Sequence, residues 1–136
     1  LSDFFDEVGV APYEIRAFAG SGLSPSTSVS SRAFIKLFDY VNAQQWKDYF
    51  WDALPESGVD GTLKHRFETA QLEHPVLAKT GTHTFSSSLS GKIVREEGKD
   101  ILFSIHIDNH PFSVQQSVIS VQPVIDHIVA LLDKEF

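Results

Sequence analysis

The sequence predicts an α+β fold in which an antiparallel sheet is flanked by helices. Apolar residues in the first half recur at helical spacing, which favours helices up to about residue 68. Between residues 76 and 108 the period changes to the alternation of strands, interrupted by a polar, glycine-containing loop at 96–100. A final segment, 117–135, again carries an apolar stripe at helical spacing. The order of helices, meander and covering helix is that of an α+β layer structure.

The helices of the first half follow from local start and stop signals. A short helix at 2–8 ends at Gly9, and Ser30 or Ser31 can cap the next helix, because these residue types satisfy helix termini. Phe34, Leu37, Phe38 and Val41 form the buried stripe of that helix. The remaining predictions are an irregular loop at 19–31, a helix at 46–54 stopped by Pro55, and a short helix capped by Thr62 that reaches Phe67.

The second half contains the predicted sheet and the last helix. Strands are expected at 76–82, 86–94 and 101–108, the last with Phe103, Ile105 and Ile107 on one face. The helix at 117–135 accepts Pro123 only if this residue lies in the first turn. Its stripe would consist of Val121, Val124, Ile125, Ile128, Val129 and Leu132. No repeat or composition shift marks a boundary, so the whole chain, 1–136, is expected to belong to one domain.

Composition excludes several functional classes. The chain has 136 residues and an apolar share of 42%, sufficient for a hydrophobic core. Eleven basic and eighteen acidic residues give a formal charge of -7, and the basic residues do not cluster, so no nucleic-acid partner is expected. No stretch is long and apolar enough for a transmembrane segment. Cysteine is absent, which excludes disulfides and thiol chemistry.

The segment Lys79-Thr80-Gly81-Thr82 follows an apolar run and carries the strongest functional signal. Lysine supplies a positive charge, threonine supplies a hydrogen-bond donor, and glycine lets a ligand backbone approach closely. This order suits a strand edge that receives the anionic end of a peptide. Strand alternation, however, places Lys79 and Thr80 on opposite faces. Gly81 has an alternative interpretation as a bulge.

Other groups of residues suggest weaker alternatives. His106, Asp108 and His110 alternate, so one strand face could present all three to a metal, although a solvent-facing strand end explains them as well. Ser86, Ser87 and Ser88 have no neighbouring base in the sequence and predict no catalytic triad. The aromatic residues Trp46, Tyr49, Phe50 and Trp51 suit either stacking with a sugar or peptide, or packing of a helix.

The Lys-Thr-Gly motif stands in an ordered set of further short motifs. The motifs are Ser21-Gly22-Leu23-Ser24, Leu54-Pro55, Gly58, Gly61-Thr62-Leu63, Arg66, Lys79-Thr80-Gly81, Leu89-Ser90-Gly91 and Phe103-Ser104-Ile105. This set resembles the C-terminal part of the D-alanyl-D-alanine carboxypeptidase/endopeptidase family, the low-molecular-mass class C penicillin-binding proteins. The resemblance implies the C-terminal portion of a penicillin-binding-protein/β-lactamase-like transpeptidase fold.

The resemblance implies a role for each residue of the motif. Lys79 orients the substrate carboxylate and Thr80 hydrogen-bonds it. The backbone N–H of Thr82 forms half of the oxyanion hole, and no metal or organic cofactor is implied. Two positions depart from the family: Ala19 replaces an aspartate before the Gly-Ser-Gly-Leu-Ser segment, and His83 replaces an apolar residue after the motif. His83 can titrate near neutral pH beside a cleft, or lie at the surface.

Two family motifs are absent from the chain. No serine is followed three places later by lysine, or two places later by asparagine, so the nucleophile is missing. We therefore expect a C-terminal fragment, inactive alone, of a periplasmic or extracytoplasmic serine-type peptidase. Its partners would be peptidoglycan stem peptides, β-lactams and the missing N-terminal part of the same protein. Carboxypeptidase and endopeptidase activity both remain open, and the alternative is a catalytically inactive relative that binds cell-wall peptides.

Overall fold

The computed structural model describes residues 1–18, 20–22 and 24–136, together with the backbone but not the side chain of Ser117. These residues form two compact units, Leu1–Lys47 and Asp48–Phe136. Each unit has its own cluster of buried apolar side chains. The boundary falls at the start of a helix rather than in a glycine- or proline-rich linker, so composition carries no signal of it.

The first unit consists of two helices and a small sheet. Helix α1, Ser2–Val8, ends at Gly9 in the left-handed conformation, as predicted. Helix α2, Ser31–Asn42, is capped by Ser30, whose side chain accepts a hydrogen bond from the backbone N–H of Ala33 at 3.1 Å. Strands β1, Ile15–Arg16, and β2, Ser28–Val29, pair antiparallel inside a region predicted to be partly irregular. Strands of two residues show no alternation, so the sequence does not reveal them.

The second unit is built on the predicted three-stranded antiparallel sheet. Strands β3, Val76–His83, β4, Ser86–Ile93, and β5, Ile101–Asp108, lie in the order β3-β4-β5, with β3 at one edge. The α+β prediction is confirmed. The helices of this part are α3, Lys47–Asp52, a 3-10 helix, Gly61–Leu63, α4, Val114–Ser120, and α5, Gln122–Glu135. In the described part of the chain, no helix is long and apolar enough to cross a membrane.

The two faces of the sheet differ in chemistry. One face, the helix face, packs against α5 and carries the main core cluster, which includes Val76, Ala78 and Leu89. Alternation places Thr80 and Thr82 on this face as well. The opposite face, here the polar face, is rich in polar side chains. It carries Lys79, Gly81 and His83 of β3 and Ser86, Ser88 and Ser90 of β4.

The predicted helix at 117–135 is two helices, α4 and α5, which meet at Val121. Pro123 lies in the first turn of α5, where its missing N–H costs nothing, so the condition set by the sequence is met. The predicted stripe is wrong at Val124 and Ile128, which are exposed. Instead α5 buries two charged residues, Asp126 and Asp133.

These two aspartates attach the loop 64–75 to α5. The carboxylate of Asp126 accepts hydrogen bonds from the guanidinium of Arg66, at 2.9 Å for Nε, and from the backbone N–H of Phe67 at 3.2 Å. Phe67 has a φ of 65°, a conformation that ordinary residues rarely adopt, and this hydrogen bond helps to hold it. The predicted helix reaching Phe67 ends at Leu63 instead, because the following residues bond to α5.

Asp133 makes the second attachment of the 64–75 loop to α5, and its ionisation should make the stability of the fold depend on pH. Burial opposes ionisation of its carboxyl, but hydrogen bonds from the His74 ring at 2.7 Å and from the N–H groups of Glu73 and His74 outweigh burial. The net result is a pKa below the ordinary 3.8. A carboxylate with a lowered pKa stabilises the fold above its unfolded-state pKa, and this stability is lost as pH falls through the folded-state pKa.

We therefore expect Asp133→Asn to lower the free energy of unfolding at pH 7 by about 2 kcal/mol, the worth of a charge-assisted hydrogen bond. The difference from wild type should begin to shrink as the pH falls below the ordinary pKa of 3.8, and should disappear as the pH falls through the lower folded-state pKa, where the aspartate itself becomes protonated. Urea unfolding between pH 3 and pH 7 measures this, with the exposed Glu135→Gln as the control. A difference that is the same at every pH would contradict an ionic role for Asp133.

Candidate functional site

The Lys79-Thr80-Gly81-Thr82 segment occupies the second half of edge strand β3. The first half of its outer edge is covered, because the N–H of Ala78 donates to the carbonyl of Pro55 at 3.1 Å and the N–H of Ser57 donates to Val76 at 2.9 Å. Beyond Ala78, the described residues supply no further partner strand on this side. The motif therefore lies where a covered edge becomes an open one.

The direction of the backbone groups follows from the pairing. In an antiparallel strand, the N–H and C=O of alternate residues point to the same side. Since Ala78 points its N–H to the outer edge, Thr80 and Thr82 point theirs there too. The open edge thus presents the amide of Thr82, the group that the family resemblance assigns to the oxyanion hole.

Lys79 projects from the polar face and bends back to the open edge. Its side chain is exposed, and Nζ donates a hydrogen bond to the backbone carbonyl of Thr80 at 2.7 Å. That carbonyl belongs to the outer edge, so the ammonium group reaches the backbone of Thr80 at this edge although the two side chains occupy opposite faces. Strand alternation alone predicts that the charge of Lys79 lies far from Thr80. In the structure the two are in contact, because the lysine side chain bends back to the edge.

The hydroxyl of Thr80 contacts a residue that the sequence analysis assigned another role. Thr80 Oγ1 lies 3.0 Å from Thr62 Oγ1. Thr62 was predicted to cap a helix, but Asp60 holds the cap position, and its carboxylate instead accepts a hydrogen bond from the N–H of Glu56 at 2.9 Å. That prediction is wrong, because Thr62 lies inside the 3-10 helix and directs its hydroxyl to β3.

Thr82 also has a side-chain partner that sequence reasoning missed. Gln122 Nε2 donates to Thr82 Oγ1 at 3.2 Å. The carbonyl of Gln122 in turn accepts a hydrogen bond from Arg66 at 3.5 Å, which links the start of α5 to the buried Arg66–Asp126 pair. The sequence gives no signal for Gln122, because 40 residues separate it from Thr82.

Gly81 lies in regular strand, and its interpretation as a bulge is wrong. Residues pair one to one along β3 and β4, and Gly81 faces Ser88. Its φ lies outside the left-handed region. A Cβ at this position would lie 2.4 Å from Ser88 Oγ but 3.8 Å from Ser88 Cβ. The absent side chain therefore makes room for the Ser88 hydroxyl and leaves the polar face beside Lys79 open.

The two departures from the family pattern have different outcomes. His83 is exposed at the end of β3, on the polar face, opposite Ser86. Ala19 lies outside the described residues, as does Leu23 of the Ser21-Gly22-Leu23-Ser24 motif.

The histidines proposed for a metal triad do not converge. His106 Nε2 lies 3.2 Å from Ser104 Oγ on the polar face, whereas His110 Nε2 lies 3.4 Å from Ser87 Oγ on the helix face. In the described part of the chain, no three His, Asp or Glu side chains are close enough to hold a metal. Strict alternation fails here because β5 ends at Asp108 and Asn109 adopts a φ of 58°.

His110 is nevertheless a base beside Ser87, which the sequence did not reveal. Both residues are buried, and His110 Nδ1 has no hydrogen-bond partner among the described residues. A triad needs an acid at this second nitrogen and an accessible serine. The Ser87–His110 pair is therefore a structural contact.

The predicted aromatic group contains both packed and exposed side chains, and the cavity does not include the motif. Trp51 is buried, packs edge-on against Phe50 with ring centroids 5.2 Å apart, and lies beneath the ammonium of Lys92, which favours packing over stacking with a ligand. Tyr49 is exposed. A cavity of about 420 Å³ lies between the 64–75 loop and residues 56–58, and none of the residues from Lys79 to His83 lines it. The candidate site is accordingly an open strand edge.

The chain is similar to known proteins in sequence and in fold. The chain is 33% identical over 108 residues to a D-alanyl-D-alanine carboxypeptidase of Actinomadura sp., a match that covers 73% of the chain and 20% of the relative. It is 32% identical over 122 residues to penicillin-sensitive carboxypeptidase A of Dictyostelium discoideum, covering 85% of the chain and 23% of the relative. The chain thus spans about a fifth of the length of these relatives.

The fold matches a solved structure over nearly the whole chain. The crystal structure of penicillin-binding protein 4 (DacB) from Haemophilus influenzae superposes with a TM-score of 0.76 and 21% identity, covering 98% of this chain and 30% of that one. This likeness confirms the predicted class, the C-terminal portion of a penicillin-binding-protein fold. The protein-family model of the D-Ala-D-Ala carboxypeptidase 3 (S13) family matches residues 2–129, and the chain belongs to that family.

Proposed function

We propose that this chain supplies the substrate-aligning strand of a serine-type D-Ala-D-Ala carboxypeptidase that acts on peptidoglycan stem peptides. The observation that carries the proposal is the open edge of β3 beyond Ala78, with the amides of Thr80 and Thr82 directed outward and the Lys79 ammonium beside them. The parent protein, which contains this chain together with a Ser-x-x-Lys serine, performs the chemistry.

The open edge suits an extended peptide. A substrate strand that adds to β3 gains backbone hydrogen bonds, and the absence of a side chain at Gly81 leaves room for it on the polar face. The positive charge of Lys79 and the hydroxyl of Thr80 attract the terminal carboxylate. His83, exposed two residues beyond Gly81 on the same face, lines the far end of this strip.

The amide of Thr82 then contributes to catalysis. In the parent protein, its N–H and that of the nucleophilic serine bind the oxyanion of the tetrahedral intermediate, and each such donor is worth roughly 3 kcal/mol in the transition state. The serine attacks the terminal peptide bond, D-alanine leaves, and water hydrolyses the acyl-enzyme. These steps use no metal or organic cofactor.

The proposal includes the surroundings of the parent protein. Peptidoglycan stem peptides and β-lactams are the ligands, and both are met outside the cytoplasm, in the periplasm or an equivalent compartment. The names of the relatives, a carboxypeptidase and a penicillin-sensitive carboxypeptidase, support these ligands. An endopeptidase would use the same strand, and a relative without the serine would bind cell-wall peptides without cleaving them.

Replacing Lys79 with alanine tests the proposal. The charge-assisted contact to the carboxylate is worth about 1.5–3 kcal/mol, so acylation of the parent protein should fall on the order of tenfold to a hundredfold. The rate is measured with a fluorescent penicillin and with a D-Ala-D-Ala peptide. Lys99→Ala, at an exposed lysine in the β4–β5 loop, is the matched control and should leave the rate unchanged.

The isolated 136-residue chain serves as a second control, since it contains no Ser-x-x-Lys and should take up no covalent penicillin label. A Lys79→Ala protein that reacts as fast as wild type would overturn the role of this strand. A stoichiometric label on the isolated chain would overturn the assignment of the nucleophile to the rest of the parent protein.

A further inference from the structure

Thr62 forms a second hydroxyl at the open edge of β3. Its Oγ1 lies 3.0 Å from Thr80 Oγ1, and its side chain is exposed. In the structure Thr80 donates this hydrogen bond to Thr62. A threonine hydroxyl has one proton and two acceptor lone pairs, so Thr62 can donate to Thr80 once the Thr80 proton is used for another acceptor.

The position of Thr62 is fixed by its neighbours. Leu63, the next residue, is fully buried in the core, and its carbonyl accepts the N–H of Gly58 at 3.1 Å. Gly61, the preceding residue, packs so closely on Pro55 that a Cβ would lie 2.9 Å from Pro55 Cγ. Pro55 also contacts β3, because its carbonyl accepts the hydrogen bond from the N–H of Ala78. The turn that carries Thr62 is therefore attached directly to the strand it faces.

A bound carboxylate determines which of the two hydroxyls, Thr62 or Thr80, donates the hydrogen bond between them. An ionised carboxylate only accepts hydrogen bonds, so Thr80 must use its single proton for the ligand. A lone pair of Thr80 Oγ1 can then accept a hydrogen bond. The hydroxyl of Thr62, 3.0 Å away, is placed to donate it. Hydrogen bonds in such a chain strengthen each other, which increases the donor strength of Thr80.

We propose that Thr62 is a positioning residue for substrate binding: when a terminal carboxylate takes the proton of Thr80, the hydrogen bond between the two hydroxyls reverses, and Thr62 donates to Thr80 and so stabilises the bound carboxylate. This inference rests on the proposed function and adds a determinant of specificity to it. A neutral carboxamide can donate as well as accept a hydrogen bond. It can therefore bind Thr80 whichever hydroxyl of the pair is the donor, and Thr62 adds little to its binding. The Thr62–Thr80 pair thus selects for free carboxylate ends.

The test compares two variants of the parent protein on one ligand pair. Thr62→Val keeps the shape of threonine and removes the hydroxyl, whereas Thr62→Ser keeps the hydroxyl. The ligand pair is a D-Ala-D-Ala peptide and the same peptide with a C-terminal amide. Acylation rates and KM are measured for each combination, and hydrogen exchange of peptides covering β3 reports whether the strand keeps its structure.

Thr62→Val should lower kcat/KM for the peptide with a free carboxylate by about tenfold, the worth of one hydrogen bond that supports a charged contact, and should change kcat/KM for the amide by less than about twofold. Thr62→Ser should restore the wild-type rate. An equal loss on carboxylate and neutral ligands would make Thr62 merely structural and overturn the inference, as would no loss at all.

Thr80→Val and Lys79→Ala, assayed beside these variants, separate the inference from the proposed function. If both lower the rate for carboxylates while Thr62→Val does not, the function stands and the role of Thr62 is wrong. If none of the three variants affects the carboxylate ligands, the substrate-aligning strand itself is wrong.

Discussion

Asp126→Ala should destabilise the protein by about 3–5 kcal/mol, the cost of removing one partner from a buried ion pair. Arg66 and Asp126 are both about 8% exposed, and the guanidinium would keep its charge with no carboxylate beside it. The N–H of Phe67 would lose its acceptor as well, at a residue already held at a positive φ. Urea unfolding measures the loss of stability, and hydrogen exchange locates it in the 64–75 loop and α5.

Two further variants separate the charge from the packing. Glu135→Ala removes an exposed carboxylate from the same helix and should change stability by less than about 0.5 kcal/mol. Replacing both Arg66 and Asp126 by leucine removes the buried charges together and should recover part of the loss, since the unpaired charge is the main cost. If Asp126→Ala is as mild as Glu135→Ala, the ion pair does not hold the loop to α5.

The same ion pair connects stability to the candidate site. Arg66 also donates to the carbonyl of Gln122, whose side chain donates to Thr82. Loosening this end of α5 should therefore disturb the position of Thr82. We expect the protein that remains folded after Asp126→Ala to react more slowly, although Asp126 is buried against Arg66 and is not part of the open edge of β3.

The sequence predicts the sheet well because its strands depend on local patterns. Alternation at 101–108 gives the observed bounds of β5, and the polar loop before it gives the hairpin. The single helix at 117–135 was a less accurate prediction, since the apolar pattern continues through the break at Val121. The burial of Asp126 could not be predicted, because its partner Arg66 is 60 residues away and nothing in the local pattern distinguishes a buried aspartate from an exposed one.

The candidate site likewise has a part that the sequence predicts and a part that it does not. The motif from Lys79 to Thr82 is contiguous, so the sequence alone locates it on a strand. Its supporting residues, Thr62 and Gln122, come from a turn before the sheet and a helix after it, and only the tertiary fold brings them to β3. The open edge likewise depends on where the pairing with residues 55–57 stops, which no pattern within β3 records.

Gly81→Val should abolish the reactivity of the parent protein, by more than about a hundredfold, with both penicillin and peptide. The new side chain would project from the polar face beside Lys79, next to the open edge of β3 to which the substrate strand is proposed to add. The effect should exceed that of Lys79→Ala, because a steric block displaces the whole ligand whereas the loss of one charge weakens a single contact.

A Ser88→Ala background shows whether the loss of reactivity in Gly81→Val comes from blocked binding or from a folding defect. In the wild-type background, a Cβ at position 81 would lie 2.4 Å from Ser88 Oγ, and the serine must change its rotamer. In a Ser88→Ala background only Cβ remains, at an ordinary 3.8 Å, and β-branched residues suit strands. Gly81→Val should then change the free energy of unfolding by less than about 1 kcal/mol relative to Ser88→Ala.

The decisive comparison is the reactivity of Ser88→Ala with and without Gly81→Val. Ser88→Ala alone should acylate at close to the wild-type rate, and the double variant should be folded and unreactive. Hydrogen exchange of β3 and β4 verifies the fold, and fluorescent penicillin and a D-Ala-D-Ala peptide report the reactivity. A folded double variant that reacts normally would mean that no ligand passes over Gly81, and that the glycine serves only to make room for the Ser88 hydroxyl.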